Sequence, residues 1–513
     1  MRIVKPYLLA LLAGLLLLAA SPGHWALPLI AWIGLLPLIM ACQGLTPRSG
    51  FRLGLLCGAV YYTGLIHWIT IALGRYGGLP PWLTVPALLG LALYMALYLG
   101  LFAAGLCWFG AWLPMVWFAP ALWVGLDWIR GHLFTGFPWL DLGYTQTGWP
   151  LLNQIADLTG HYGITFLIVL VNAMLAETWR AWPHPPRRRL FAAGLILLSA
   201  MSYNLVRYRQ VKAELAGRPA IKVGLIQGNI DQSEKWQPPL QERTVTTYLD
   251  LSRRAEAQGR LDLLVWPETA LPFFPDDSPL FTRVTGEIGQ ERANGPALLT
   301  GAPHFTVDLV RGHTRYFNSA LLISPLPTGG VSRQRYDKEH LVPFGEYIPL
   351  HRYLSATMPL VQSMGNFSPG GNPGPLIHRG MRLGVLICFE SIFPDEARVR
   401  VSRGANLLVN LTNDAWYGRS SAPFQQVPMA VLRAIENRRS LARAANTGIS
   451  CLIDPLGRVQ VQTPIFTTLE VTGQVPLMEG YSLFTRLGFI FPGLCLLFLS
   501  GLIFYGIFRS NRV

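Results

Sequence analysis

Long apolar runs separated by short polar breaks fill about the first 205 residues, return at 484 to 508, and give way between them to a mixed, water-soluble pattern. A helix that crosses a bilayer needs roughly 20 apolar residues, and on that measure the runs predict about eight spans. They fall near 8 to 20, 25 to 43, 53 to 73, 83 to 106, 115 to 130, 161 to 177, 190 to 206 and 484 to 508. The predicted plan is a multi-span α-helical membrane domain over residues 1–209 with about seven helices, a globular domain over 218–476, and a C-terminal transmembrane helix over 484–508. Residues 1 to 21, with Arg2, Lys5, a Leu/Ala core and small residues at Ala19 to Ser21, have the build of a signal peptide as well as of a first span. The many helices that follow favour a retained helix, and either case leaves residue 22 on the outer side.

Between 218 and 476 the period changes. Ile221 to Gln227, Leu261 to Trp266, Ala297 to Gly301, Ser319 to Ser324, Leu383 to Ile387 and Leu407 to Leu411 read as buried strands. Helices are predicted over 240 to 258, 394 to 403 and 425 to 440, and Ser450 to Pro455 opens a late hairpin. Alternation of this kind predicts an α/β fold whose strands are covered on both faces. Residues 350 to 375, with Met358, Leu360, Val361 and Met364 and then Gly370, Gly371 and Gly374, are either an unrecognised element or a mobile apolar lid that dips into the lipid interface.

Charge fixes a direction. The 513 residues are 51% hydrophobic and only 14% charged, with a net charge of +14. The basic residues sit where runs end: Arg2 and Lys5, Arg48 and Arg52, Arg180 with Arg187 to Arg189, Arg509 and Arg512. Short Lys/Arg-rich loops stay cytoplasmic. With the N-terminus inside, every one of these clusters lies on the cytoplasmic face and the globular domain lies outside, so the charge argues for a membrane and against nucleic acid. The turn from Gly110 to Pro114 carries no charge to support it. The Trp and Tyr residues near 61 to 82, with Trp139, Tyr144 and Trp149, are expected as an interfacial belt, and Asp127 and Arg130, three apart at a helix end, as a neutralised pair.

Cys42, Cys57, Cys107 and Cys495 lie in membrane runs, which leaves Cys388 and Cys451 in the exported domain. Those two could join in a disulfide on an oxidising side, or Cys451 could be a buried strand residue. Neither Cys-x-x-Cys nor a His pair at helical spacing occurs, so no metal or cofactor is expected. A lone cysteine in an apolar strand is ordinarily core. Cys388, however, ends the run 382 to 388, Glu268 follows Trp266-Pro267 at the end of another, and Lys338 follows Tyr336-Asp337. A thiol, an acid and an amine converging on one pocket supply the nucleophile, base and charge stabiliser of acyl transfer. The backbone N–H of Phe389 would aid the ammonium, and Glu346 and Glu390 would orient it.

The order Glu268, Lys338, Cys388, within Trp-Pro-Glu, Lys-x-His-Leu-Val-Pro-Phe-Gly-Glu and Cys-x-Glu, resembles the carbon–nitrogen hydrolase (nitrilase) superfamily. The membrane block narrows the resemblance to the apolipoprotein N-acyltransferase family. Residues 136 to 140, 143 to 147, 227 to 230, Lys235-Trp236 and 413 to 418 also look like that family. The resemblance implies a nitrilase-like α-β-β-α sandwich on eight membrane helices, facing the periplasm of a bacterial inner membrane. It implies a ping-pong reaction in which Cys388 takes the sn-1 acyl chain of a phospholipid as a thioester. The chain then passes to the α-amine of a diacylglyceryl-cysteine on an apolipoprotein. By the same matching Glu346, Glu390 and Trp236 belong to the functional set, and Asn318 and Trp416 shape the acyl pocket. The family often has tyrosine after the cysteine, where this chain has Phe389, so a phenolic hydroxyl is not required there. The expected partners are phospholipid and lipoprotein, with the enzyme a monomer. The alternatives are a membrane-tethered amidase that uses water and, in another class, a transporter or scaffold whose exported domain only binds. Membrane runs without paired charges or broken helices argue against the latter.

Overall fold

A computed structural model describes residues 4–233, 235–290, 295–308, 313–348, 367–372 and 374–510. A helical segment stands at each of the eight positions where an apolar run predicts one: Val4–Ala20, a broken segment within residues 28 to 41, Pro47–Leu65, Pro81–Phe109, Met115–His132, His161–Arg180, Arg187–Leu215 and Ile490–Ser510. Four of them, Pro81–Phe109, His161–Arg180, Arg187–Leu215 and Ile490–Arg509, are long and apolar enough by themselves to cross a membrane. The helix Pro47–Leu65 presents Gly50, Gly54 and Gly58 to Ala103, Leu99 and Ala96 of Pro81–Phe109 at a spacing of four. A Cβ at Gly58 would come 2.7 Å from the Ala96 backbone. Small residues at this spacing let two helices pack closely where lipid supplies no hydrophobic drive between them.

The soluble part is two six-stranded sheets. The first runs β12 (Leu469–Pro476), β1 (Ala220–Gln227), β2 (Leu263–Val265), β3 (Ala297–Asp308), β4 (His313–Pro325), β5 (Val331–Asp337). The second runs β11 (Val459–Gln462), β10 (Cys451–Ile453), β9 (Ser440–Ala445), β8 (Leu407–Thr412), β7 (Met381–Ile387), β6 (Leu376–His378). In each, three central strands are parallel: β1, β2 and β3 in one, β7, β8 and β9 in the other. Val223, Leu225, Val265 and Leu299 of one sheet and Leu383, Val385, Val409 and Ala442 of the other form a single core between them. Helices Pro238–Ala257 and Pro279–Gln290 cover the first sheet. Pro394–Ser402 and Ala422–Asn437 cover the second. The result is an α-β-β-α sandwich.

That last helix layer packs largely against the membrane block. Leu386, Phe389, Phe393, Val431 and Ile435 belong to the same buried cluster as Leu17, Leu53, Met95 and Trp139 of the membrane block. Polar bonds pin the joint. Gln425 accepts from the indole N–H groups of Trp68 (3.0 Å) and Trp139 (2.8 Å) and donates to the Leu65 carbonyl (2.9 Å). Arg433 donates to the Tyr144 hydroxyl (3.0 Å), and Arg438 donates to Gln154 (2.6 Å) and Asp157 (2.9 Å).

Four expectations need correcting. The helix expected to 440 ends at Asn437, with Arg438 in the left-handed region (φ 51°), and residues 440 to 445 are strand β9. Trp139 and Tyr144 are fully buried at the joint rather than in an interfacial belt. The membrane block does hold paired charges, because Arg130 meets both Asp127 (3.3 Å) and Asp141, and Asp141 meets His161 (2.7 Å). A broken helix also occurs, at residues 28 to 41. These charges are spent on one another and, through the bond from the His161 N–H to Glu436 (3.0 Å), on the joint. Most of the lid expected at 350 to 375 lies outside the described residues.

Candidate active site

Parallel strands deliver their C-terminal ends to one edge of a sandwich, the usual place for ligands in such sheets. Here Glu268 stands just beyond β2, Cys388 follows β7, Asn413 follows β8 and Lys338 follows β5. The backbone at this edge is held in unusual conformations. Cys388 (φ 52°), the first residue after its strand, and Thr269 (φ 50°), the residue after Glu268, both have positive φ, which for non-glycine residues costs on the order of 1 kcal/mol or more. Gly301 makes the second possible, since a Cβ there would run into the Glu268–Thr269 peptide.

The Glu268 carboxylate is buried and doubly held. Its Oε1 accepts from the Asn318 amide at 2.8 Å and its Oε2 from the Asn413 backbone N–H at 2.8 Å. The other N–H of the Asn318 amide group goes to Glu346 Oε1 at 2.8 Å. Lys338 Nζ lies 2.9 Å from Glu346 Oε1 and 2.8 Å from its Oε2, and Glu346 Oε2 also takes the Val342 N–H at 2.8 Å. The chain Glu268–Asn318–Glu346–Lys338 is thus a continuous buried polar path. The charge of Glu346, then those of Glu268 and Cys388, hold the Lys338 amine protonated well above its ordinary range despite burial.

Burial pushes the Cys388 thiol up to about 12, the Glu268 charge adds to that, and Lys338 and a hydrogen bond from Thr412 act against it. Its neighbour Phe389 packs edge-on against Phe393 (5.0 Å between rings) and faces His340 and, from the membrane block, Phe137 (6.4 Å).

Glu390 lies behind the site rather than at the ammonium. One oxygen accepts from the Tyr336 hydroxyl (2.7 Å) and the Glu339 and His340 N–H groups (2.8 and 3.2 Å), the other from the Ile387 N–H (2.6 Å), and Arg400 lies 3.5 Å away. It ties the segment carrying Lys338 to the strand carrying Cys388. Asn318 likewise departs from expectation, because its amide joins two carboxylates in the polar part of the pocket. Trp236 is 48% exposed and Trp416 39%, the latter edge-on to Tyr76 of the membrane block at 6.0 Å. Cys451 is a free, buried strand residue, and so is not in a disulfide with Cys388.

Two groups escaped attention at the sequence level. Lys235, noticed only as part of a motif, is buried with its Nζ 3.2 Å from the Glu268 carbonyl oxygen. Arg443 lies in the interior on Asp414 (2.9 Å) and Gln426 (2.5 Å), beneath the loop that supplies Asn413. Arg443 was signalled only by a charge inside an otherwise small-residue stretch, whereas Lys235, in the polar run Asp-Gln-Ser-Glu-Lys-Trp, had no local signal of burial.

Sandwich, site and helical block together define the class: a membrane-attached member of the carbon–nitrogen hydrolase superfamily. The sequence profile described as carbon-nitrogen hydrolase matches residues 222–480, and that described as apolipoprotein N-acyltransferase N-terminal domain matches residues 12–174. The apolipoprotein N-acyltransferase of Geobacter metallireducens is 43% identical over 504 residues, covering 96% of this chain and 93% of that one. That of Methylococcus capsulatus is 33% identical over 488 residues, covering 93% and 91%. Among solved structures, an amidase of the nitrilase superfamily from Nesterenkonia AN1 aligns with a TM-score of 0.36 at 21% identity, covering 50% of this chain and 90% of the amidase. The chain belongs to the apolipoprotein N-acyltransferase family.

Proposed function

We propose that this chain is the enzyme that moves the sn-1 acyl chain of a phospholipid to the N-terminal α-amine of S-diacylglyceryl-cysteine in apolipoproteins, with Cys388 as the carrier. The observation that carries this reading is the pairing of one buried thiol with a carboxylate and an ammonium, next to Phe389 of the buried cluster shared with the membrane block. In the first half-reaction Glu268 takes the thiol proton as Sγ attacks the ester carbonyl. Lys338, with the Phe389 backbone N–H, stabilises the oxyanion. The ester C–O bond breaks, the proton passes from Glu268 to the leaving alkoxide, and a lysophospholipid departs from a thioester. In the second, the neutral amine attacks the thioester, Glu268 takes its proton and returns it to the leaving thiolate, and Cys388 is restored.

Glu346 keeps Lys338 charged and in place, Asn318 spaces the two carboxylates, and Glu390 braces both catalytic segments. Trp236 and Trp416, both exposed, are available to contact substrate. Extracting either substrate's acyl chains into water would cost about 0.8 kcal/mol per CH₂, so a site opening at the bilayer surface favours acyl-bearing donors and acceptors. Water exclusion then separates transfer from hydrolysis. Residues 1–209 form the membrane domain, 218–476 the catalytic domain and 484–508 the last anchor. The distribution of the basic loops supports a catalytic domain on the periplasmic side of the bacterial inner membrane, and the enzyme is taken to be a monomer.

Phospholipid labelled in its sn-1 chain should label the protein through a hydroxylamine-sensitive bond, Cys388→Ala should remove the label, and a diacylglyceryl lipopeptide should then carry it away as an amide. Label recovered only as free fatty acid in the presence of lipopeptide would contradict transfer and favour an amidase-like hydrolase.

A further inference from the structure

The pocket contains two lysines, and they are not equivalent. Lys338 is matched by both oxygens of Glu346. Lys235 is only 1% exposed, and among the described residues its Nζ has a single hydrogen-bond partner, the main-chain carbonyl of Glu268 at 3.2 Å, and no carboxylate within ion-pair distance. Burying an ammonium without a counter-charge is costly, and the cost is visible as a lowered proton affinity: desolvation brings Lys235 down to about 8, with Glu268 the one charge that pulls it back.

Charge bookkeeping gives the burial a purpose. The groups around Glu268 and the Cys388 thiol are Lys338 and Lys235 as cations, with Glu346, the thiol itself, the Tyr417 phenol and Asp414 as acids. Asp414 is matched by Arg443 at 2.9 Å and Glu346 by Lys338. The thiol and the phenol, both pushed up, are neutral at rest. What remains is one carboxylate and one ammonium, Glu268 and Lys235. Their sum stays zero when the thiol proton moves to Glu268, because the negative charge passes to sulfur within the same pocket.

We propose that Lys235 is a positioning residue of the reaction: its buried ammonium holds the Glu268 peptide and supplies a positive charge beside the base where the other ammonium is already matched by Glu346. This rests on Glu268 being the base. The test is the rate of thioester formation on Cys388 from labelled phospholipid as a function of pH, in the full-length protein. Removing a cation disfavours the ionised carboxylate, so the acidic limb of the profile in Lys235→Met should move to higher pH by on the order of one unit. Lys235→Arg should keep the limb near that of the wild type. Should Lys235→Met fail to accumulate, Lys235→Gln, which retains a donor for the Glu268 carbonyl, carries the same expectation. A rate lowered equally at every pH with an unmoved limb, or a limb shifted as far in Lys235→Arg as in Lys235→Met, overturns the proposal. Wild-type protein that forms no thioester at all would instead sink the reading of the site on which it rests.

Discussion

At the scale of single residues the site works by withholding a charge until it is needed. A thiol raised to about 12 is protonated at every physiological pH, so in the proposed mechanism the thiolate forms only as Glu268 takes the proton during attack. Alkylation of resting Cys388 by iodoacetamide at pH 7 should therefore run on the order of a thousandfold slower than that of a free cysteine, whose thiol titrates near 8.5, and should still be rising above pH 10. A plateau near pH 8 would contradict this. Glu346→Gln leaves the Lys338 ammonium buried without its counter-charge and should slow thioester formation by on the order of a hundredfold, about 2.7 kcal/mol; a loss below threefold would remove Glu346 from the working set. Glu268 and Cys388 were legible in the sequence because each closes a strongly apolar segment with a reactive group, and Lys338 because its amine opens the distinctive run Lys-x-His-Leu-Val-Pro-Phe-Gly-Glu. The placement of Asn318, Glu390 and Lys235 was not, because it depends on partners 50, 54 and 33 positions away in the chain. Nothing local to Asn318 says that its amide will meet two carboxylates.

Among elements, legibility followed burial pattern. β1, β7 and β8 are near-continuous apolar runs, as strands covered on both faces must be, and they stand where the pattern puts them. Strand β5, Val-Ser-Arg-Gln-Arg-Tyr-Asp, is a polar edge strand, and β9, Ser-Leu-Ala-Arg-Ala-Ala, is fully buried yet carries Arg443; neither reads as a strand by hydrophobicity. Arg443 is tolerated only because Asp414, Asn410 and Gln426 surround it, which no local pattern reveals. The helix Ala422–Asn437 carries the same lesson, since it is buried on both faces, once by β-sheet and once by the membrane block. Gln425 is its central fastening. Gln425→Leu strands two indole N–H groups and the Leu65 carbonyl, a loss of about 3 kcal/mol. It should lower the Tm of the detergent-solubilised protein by several degrees, and an unchanged Tm would show that the joint is held elsewhere.

Over the whole molecule, apolar runs carried the helical architecture, because crossing a bilayer imposes a length rule that a single sequence displays. They could not foretell that the soluble domain shares a core with the membrane block. That sharing places Phe389, the neighbour of Cys388, within 6.4 Å of Phe137 of the membrane block. Orientation has its own test. With native cysteines buried or within the membrane block, a cysteine introduced at Thr328, in the exposed turn between β4 and β5, should react with a membrane-impermeant maleimide in intact spheroplasts. Reaction only after lysis would invert the topology. The central claim is that Cys388 carries an acyl chain between two lipid substrates, and peptide mass spectrometry of the purified protein after phospholipid exposure tests it most directly. The account predicts an added fatty-acyl mass on the peptide containing Cys388, removed by hydroxylamine and by a diacylglyceryl lipopeptide. An unmodified Cys388 peptide under conditions of turnover, or the acyl mass on another residue, would contradict it.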